Sequence, residues 1–125
     1  MRKINLIIIL IISLTIVSCD KEMYYNFVIN NELENEITVT FIALDYGMET
    51  IIIPEGVKDT IYIYSITEGT KIYEREIRWK FDEITISTDN VYSNVNYLLN
   101  ENWKYREFSD TYAEYFLTVD STHFE

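Results

Sequence analysis

Hydrophobic and polar residues alternate along most of the chain after residue 23. In the clearest stretch, 36–44, one side of the alternation carries Ile37, Val39, Phe41 and Ala43, and the other carries mainly threonine. A period of two, rich in β-branched and aromatic residues, is typical of strands that bury one face. The pattern therefore predicts a chain built from β-strands.

Turn-forming residues divide this region into about eight or nine short segments, spaced as in an antiparallel sandwich. The segment 49–53 is apolar enough to lie in the middle of a sheet or between two sheets, and 71–81 fits a strand better than a helix. Pro54 suits the second position of a type I turn over 53–56. Segment 91–99 contains two asparagines and is expected to be partly loop. The predicted strands are 24–29, 36–44, 49–53, 59–66, 71–81, 83–87, 91–99, 103–108 and 112–119.

These segments predict an all-β fold in a single domain, 24–125. The favoured architecture is an antiparallel two-sheet sandwich, an immunoglobulin-like Greek key, and a small β-barrel is the alternative. The Cys…Trp…Cys pattern of true immunoglobulin domains is absent from the sequence, so any likeness is one of architecture.

The first nineteen residues follow a different pattern. Arg2 and Lys3 form a short cationic head, and every residue in 6–12 is leucine or isoleucine. A softer run then leads to Cys19. A basic head, an apolar core and a small-residue site are the three parts of a secretory signal. The apolar run is about half the ~20 residues that a transmembrane helix needs.

The motif Ile16-Val17-Ser18-Cys19 resembles a bacterial lipobox. This resemblance implies cleavage before Cys19 and acylation of its thiol and new amino group. Two or three acyl chains would anchor the protein, since each buried methylene contributes about 0.8 kcal/mol of membrane affinity. The expected organisation is a signal peptide at 1–18, a lipidated tether at 19–23 and the sandwich domain. An ordinary secretory signal with an incidental cysteine is the competing interpretation.

The tether Asp20-Lys21-Glu22 bears on the final location of the protein. It resembles the acidic tether of surface-exported lipoproteins of the Bacteroidetes type, whereas an aspartate directly after the cysteine also resembles an enterobacterial inner-membrane retention signal. The composition, rich in isoleucine, asparagine, tyrosine and acids, favours the first. We therefore expect an outer-membrane lipoprotein of the bacterial cell envelope, exposed on the cell surface.

The charge balance excludes one class of partner. The net charge is −11, and it becomes −13 if Arg2 and Lys3 leave with the signal. Such an acidic chain repels phosphate backbones, so nucleic acid is not an expected partner. Cys19 is the only cysteine, so no disulfide can form within the chain.

The sequence offers little for catalysis, and the chain is not expected to be an enzyme. The single histidine, His123, lies in a polar C-terminal tail expected to fray. A zinc site lacks ligands, and no glycine loop cradles phosphate. Loop acids such as Asp45 with Glu49, or Asp110 with Glu114, could hold calcium, but their spacing matches no known calcium loop. No cofactor or metal is expected.

Three tyrosines are the candidate ligand-binding residues. Tyr62 and Tyr64 alternate with Ile61 and Ile63, so inward isoleucines would leave an outward tyrosine pair. Such a pair could stack on a sugar or on a partner protein, and Tyr46 in a turn could extend the site. The simpler interpretation is that these rings cover and stabilise the sheet.

The whole chain resembles the small β-sandwich lipoproteins of gut Bacteroidetes, a group without an assigned activity. The resemblance rests on the lipobox, the strand running into Pro54-Glu55-Gly56, the Asn102-Trp103 strand start and the closing strand 115–119. The leading hypothesis is a non-enzymatic, membrane-anchored sandwich that binds carbohydrate or an envelope protein. The alternative is an envelope assembly component that pairs at a strand edge. A small hydrolase is a third, weaker hypothesis.

Overall fold

The computed structural model describes residues 21–67, 69 and 71–125. The predicted signal peptide and the acylation site at Cys19 lie outside these residues. These described residues contain eight strands and three short 3-10 turns, at Ile77–Trp79, Asn100–Asn102 and Ser121–Phe124. The strands are β1 (Glu22–Asn31), β2 (Ile37–Ala43), β3 (Gly47–Ile53), β4 (Lys58–Thr67), β5 (Phe81–Thr88), β6 (Val91–Tyr92), β7 (Lys104–Ser109) and β8 (Tyr112–Val119).

The strands form two four-stranded sheets that pack face to face. Sheet A has the order β4-β1-β8-β7, and sheet B has the order β3-β2-β5-β6. All pairs are antiparallel except β1 with β8. β5 returns across the sandwich to lie beside β2, a long return of the Greek-key kind. The predicted sandwich is confirmed, and the barrel alternative is wrong because each sheet keeps its own two edge strands.

The core lies between the sheets and is unusually aromatic. Phe27 on β1 is at its centre, stacked on Tyr115 at 5.0 Å and 4°, and met edge-on by Phe81 at 4.8 Å. On β2 burial alternates as the sequence predicted, and β8 shows the same alternation. Each fully buried large apolar side chain contributes about 1.5–3 kcal/mol, so this layer is the main stabilising element.

The buried polar residue Asn31 makes hydrogen bonds that connect elements of the two sheets at one end of the core. Asn31 is fully buried, and its Nδ2 donates to the carbonyl oxygens of Asn35 at 2.8 Å, Ile53 at 3.1 Å and Pro54 at 3.1 Å. Its Oδ1 accepts from the Leu33 N–H at 3.0 Å. The amide therefore joins the end of β1 to the turn between β3 and β4, which belong to different sheets.

Two turns show how local residues set backbone geometry. Asp89 and Asn90 both have positive φ, 48° and 61°, as a two-residue type I′ hairpin between β5 and β6 requires. The turn after β3 lies one residue later than predicted. Val57 N–H donates to the Pro54 carbonyl, and Gly56 at the third position has φ 66°, which a type II turn favours and the predicted type I turn does not.

The predicted strand 71–81 is wrong. Residues 71–76 form an irregular connection, a 3-10 turn follows at Ile77–Trp79, and β5 begins only at Phe81. Side chains from elsewhere take the backbone hydrogen bonds of this connection. The Tyr115 hydroxyl bonds both the N–H and the carbonyl of Arg75 at 2.6 Å, and Asn100 Oδ1 accepts from Ile77 N–H at 2.7 Å.

Two further predictions are corrected. β3 was expected in the middle of a sheet or between two sheets. It is the edge strand of sheet B, with Ile53 buried in the core and Ile52 exposed on the outer face. The C-terminal tail was expected to fray, but it is docked. The His123 carbonyl accepts from the Asn94 N–H at 3.0 Å, and the Nδ1 atom of the His123 ring lies 2.9 Å from the Tyr97 hydroxyl.

Candidate binding surface between β3 and β4

The edge strands β3 and β4 face the same side of the sandwich, and a cleft opens between them. The cleft has a volume of about 450 Å³. Its walls come from both sheets and from the turn before β3, and its lining residues are Tyr46, Glu49, Thr60, Ile61, Tyr62 and Ile63. The strand orders thus bring residues 46–49 and 60–63 together, although they lie on different sheets.

A buried cation lies behind this cleft. The side chain of Lys80 is only 6% exposed, and its Nζ is 2.8 Å from Asp45 Oδ1. The same Nζ lies 3.4 Å from the centroid of the Tyr64 ring. A buried ammonium needs compensation, and here a carboxylate and the negative face of an aromatic ring supply it. The Leu44 N–H donates to the Lys80 carbonyl at 2.9 Å, which holds the turn before β3 against this residue.

Asp45 connects the cation to the wall of the cleft. The Tyr62 hydroxyl donates to Asp45 Oδ1 at 2.8 Å. Burial alone would raise the pKa of Asp45, but hydrogen bonds from Lys80 and Tyr62 outweigh it and hold that pKa below its ordinary value of 3.8. Burial and the bond to Asp45 raise the pKa of Tyr62 above its ordinary value. At neutral pH Asp45 is therefore an acceptor and Tyr62 a neutral donor.

The structure brings the three predicted site residues together, but not as expected. Tyr46 stands in solvent, 66% exposed, with its ring 6.3 Å from that of Tyr62. Tyr62 and Tyr64 are half-buried and pack inward, against Phe81 and Trp79 respectively. The expected outward tyrosine pair is therefore wrong.

A β-bulge explains the inverted orientation. The register of β1 with β4 runs Phe27 to Tyr62 and then Val28 to Thr60, so Ile61 is the extra residue on β4. A bulge lets two consecutive residues escape strict alternation. Both Ile61 and Tyr62 accordingly turn toward the core, and Ile63 is left 59% exposed.

The sequence did not identify Lys80 as part of the site. It was placed on the polar face of the predicted strand 71–81, which does not form. Asp45 was considered only as a calcium ligand with Glu49, whereas it contacts Lys80. Among residues 21–67, 69 and 71–125, no group of three or more His, Cys, Asp and Glu converges as a metal site. The alternation Trp79-Lys80-Phe81 gave no sign of this enclosure, because it places the lysine on the face opposite the two aromatic rings.

The edge of β4 differs from that of β7, the opposite edge of sheet A. From Thr60 to Thr67 the described residues of β4 carry no charge, whereas β7 carries Lys104, Arg106 and Glu107. Charged residues protect an edge strand from pairing with another chain. Apolar side chains are also exposed on β3, on β4 and in the turns next to them: Leu44, Tyr46, Met48, Ile52, Val57 and Ile63.

A scan against protein-family models, a search of curated proteins and a search of solved structures each returned no match. Within the described part of the chain, none of the helices is both long and apolar enough to cross a bilayer. The functional conclusion therefore rests on the signal pattern in the sequence and on the chemistry of the cleft.

Proposed function

We propose that this protein is a lipid-anchored component of the bacterial cell envelope, held in the outer membrane through Cys19, and that it binds a partner without catalysing a reaction. The anchor is inferred from the lipobox-like motif at 16–19 and the signal pattern before it. The partner surface is the side of the sandwich that carries the β3–β4 cleft. An envelope carbohydrate or protein is the expected class of partner.

One observation supports the choice of this surface: the rings of Tyr46 and Tyr62 lie together at the cleft. The Tyr62 ring is held in place because its hydroxyl donates to Asp45, which pairs with Lys80. Exposed tyrosine gives contact area at a low entropy cost, and a ring already held in place loses little freedom on binding. The cleft lining contains a single carboxylate, Glu49, whereas glycoside hydrolysis uses a pair. Binding is therefore the function that this lining favours.

A second candidate function is assembly by strand addition at β4. It is favoured by the uncharged run from Thr60 to Thr67 and by Ile63 within that run, which is exposed to solvent. In this mode the main chain of a partner strand supplies most of the hydrogen bonds, and side-chain pockets supply specificity. The two candidates use neighbouring surfaces. Cleft binding depends on Tyr46, and strand addition depends on the uncharged edge of β4.

Two variants separate the candidates. The chain from residue 21, which contains both sheets, is tested for binding to a glycan array and to purified envelope proteins. Tyr46→Ser should weaken cleft binding at least about tenfold, since exposed aromatic anchors dominate interfaces. Ser65→Lys should instead abolish strand addition, because Ser65 is exposed on β4 and lies outside the cleft lining. Tyr92→Ser is the matched control, because Tyr92 is equally exposed but lies on β6 at the opposite edge. Binding that none of the three alters would contradict both functions.

The anchor is tested separately in cells that express the full chain. Cys19→Ser should abolish incorporation of labelled palmitate and release the protein from the membrane fraction, because the acyl chains supply the membrane affinity. Ser18→Ala keeps the small residue of the motif and should label normally. If Cys19→Ser still labels and still sediments with membranes, the lipid anchor is wrong.

A further inference from the structure

A cationic hollow lies on the outer face of sheet A, away from the β3–β4 cleft. It has a volume of about 280 Å³, and its lining residues are Lys58, Lys104, Arg106, Glu114 and Phe116. Eight lysines and arginines follow Cys19, and three of them converge here on a chain whose net charge is strongly negative. Like charges repel, so such clustering in an acidic protein indicates a binding role more strongly than scattered cations would.

The sheet order assembles the hollow from three strands. Lys104 on β7 lies directly opposite Phe116 on β8. Lys58 comes from β4, two strands away on the other side, and its Nζ reaches within 5.9 Å of the Phe116 ring centroid. The half-buried ring is thus the floor of the hollow, with one ammonium group on each side of it.

The two lysines that flank the ring are available to a ligand. Within the described part of the chain, no carboxylate oxygen lies within 4.0 Å of Nζ in Lys58 or Lys104. Arg106 is placed opposite Glu114 by the strand register and lies over the ring of Phe108 at 4.8 Å. Glu114 therefore offsets the charge of Arg106 more than that of the two lysines.

The Phe116 ring and the ammonium groups of Lys58 and Lys104 together favour one kind of ligand. The face of an aromatic ring is electron-rich, so it attracts the C–H groups of a sugar and not a bare anion. The ammonium groups beside it favour a carboxylate. We propose that this hollow binds an acidic saccharide, with the sugar face of a uronic acid on Phe116 and its carboxylate between Lys58 and Lys104.

The position of the hollow argues against lipid head groups as the ligand. This step rests on the proposed anchor at Cys19, three residues before β1 begins at Glu22. Phe116 is opposite Val28, six residues along β1, which places the hollow about 20 Å from the anchored end of that strand. A soluble or wall-bound saccharide can reach a site at this distance from the anchor, and the anionic vesicles in the test below check lipid head groups directly.

The test uses the chain from residue 21, whose two sheets contain the described core. Binding of a galacturonic acid oligomer is measured by calorimetry beside its fully methyl-esterified form, which keeps the sugar backbone and lacks the charge. The acid should bind, with an affinity that falls as salt is added, and the ester should not. The double variant Lys58→Gln/Lys104→Gln should weaken binding by about tenfold, and Phe116→Leu should weaken it several-fold.

Lys71→Gln is the matched control, because Lys71 is exposed and lies outside the hollow. Melting temperatures of all variants separate lost binding from lost folding. Equal binding of the ester, or full binding by the double variant, would overturn the proposal. So would stronger binding to a single-stranded oligonucleotide, to polyglutamate or to anionic vesicles. The tested chain begins after Cys19, so a failure of the anchor and a failure of the hollow are distinguishable.

Discussion

The ammonium group of Lys80 lies 3.4 Å from the centre of the Tyr64 ring. The two residues belong to different sheets, since Tyr64 is on β4 and Lys80 directly precedes β5. A cation enclosed at this junction ties the edge of sheet A to sheet B, and Asp45 completes the contact from the turn before β3. The contact of Lys80 with Tyr64 and Asp45, at the edge of the core, therefore helps to shape the candidate cleft.

The two partners of this ion pair should differ in their effect on stability. Asp45→Ala leaves a buried ammonium with only a ring face, and we expect it to lower the free energy of unfolding by about 1–2 kcal/mol. Lys80→Met should cost less, because Asp45 is 45% exposed and can be hydrated. Urea denaturation of both variants, with Lys71→Met as the exposed control, measures the order. A larger loss in Lys80→Met than in Asp45→Ala would contradict it.

The same pair should make stability depend on acid pH. The pKa of Asp45 in the folded chain is lowered below 3.8, so its contribution is fully present above the unfolded pKa and disappears as pH falls through the folded pKa. The gap in unfolding free energy between the native chain and Asp45→Asn should therefore be constant above about pH 5 and narrow as the pH falls below 3.8. Unfolding curves at pH 7, 5 and 3 follow the gap. A gap of the same size at all three values would show that Asp45 does not titrate as described.

The hydroxyl of Tyr115 should be worth more than that of its neighbour Tyr105. Tyr115→Phe keeps the stacked ring but removes the partner of the Arg75 N–H, for an expected cost of about 1–3 kcal/mol. Tyr105→Phe removes one exposed hydrogen bond to Glu107 and should cost less than about 0.5 kcal/mol. Thermal unfolding compares the two, and hydrogen exchange should quicken at the Arg75 amide in Tyr115→Phe only. Equal costs would mean that the connection 71–76 is held by other contacts.

The hairpin between β5 and β6 should be selective at its second turn residue. Asn90 has φ 61°, which asparagine tolerates and a β-branched residue does not. Asn90→Val should lower stability by about 1–2 kcal/mol, whereas Asn90→Gly, its matched control, should be neutral or slightly stabilising. Differential scanning calorimetry gives both values. A neutral Asn90→Val would require the turn to adopt another backbone geometry.

Local periodicity was a good guide on β2, whose inward face was predicted correctly. The turn at Asp89-Asn90 was predicted from its residue types. The Ile61 bulge on β4 was invisible, because it depends on which residue of β1 lies opposite. The candidate site shows the same limit of local pattern: its three tyrosines lie close together, but Tyr62 and Tyr64 pack inward where an outward pair was predicted.

The sequence by itself determined that the chain forms strands and where most of them turn, and it predicts an acylation-type signal before them. Each of these depends on residues close together in the chain. Only the tertiary structure decided that Lys80 is enclosed, that residues 71–76 stay irregular, and that Lys58 and Lys104 flank Phe116. Those outcomes depend on strand order and register, which are fixed by how the aromatic core packs between two sheets and by contacts between residues far apart in the chain.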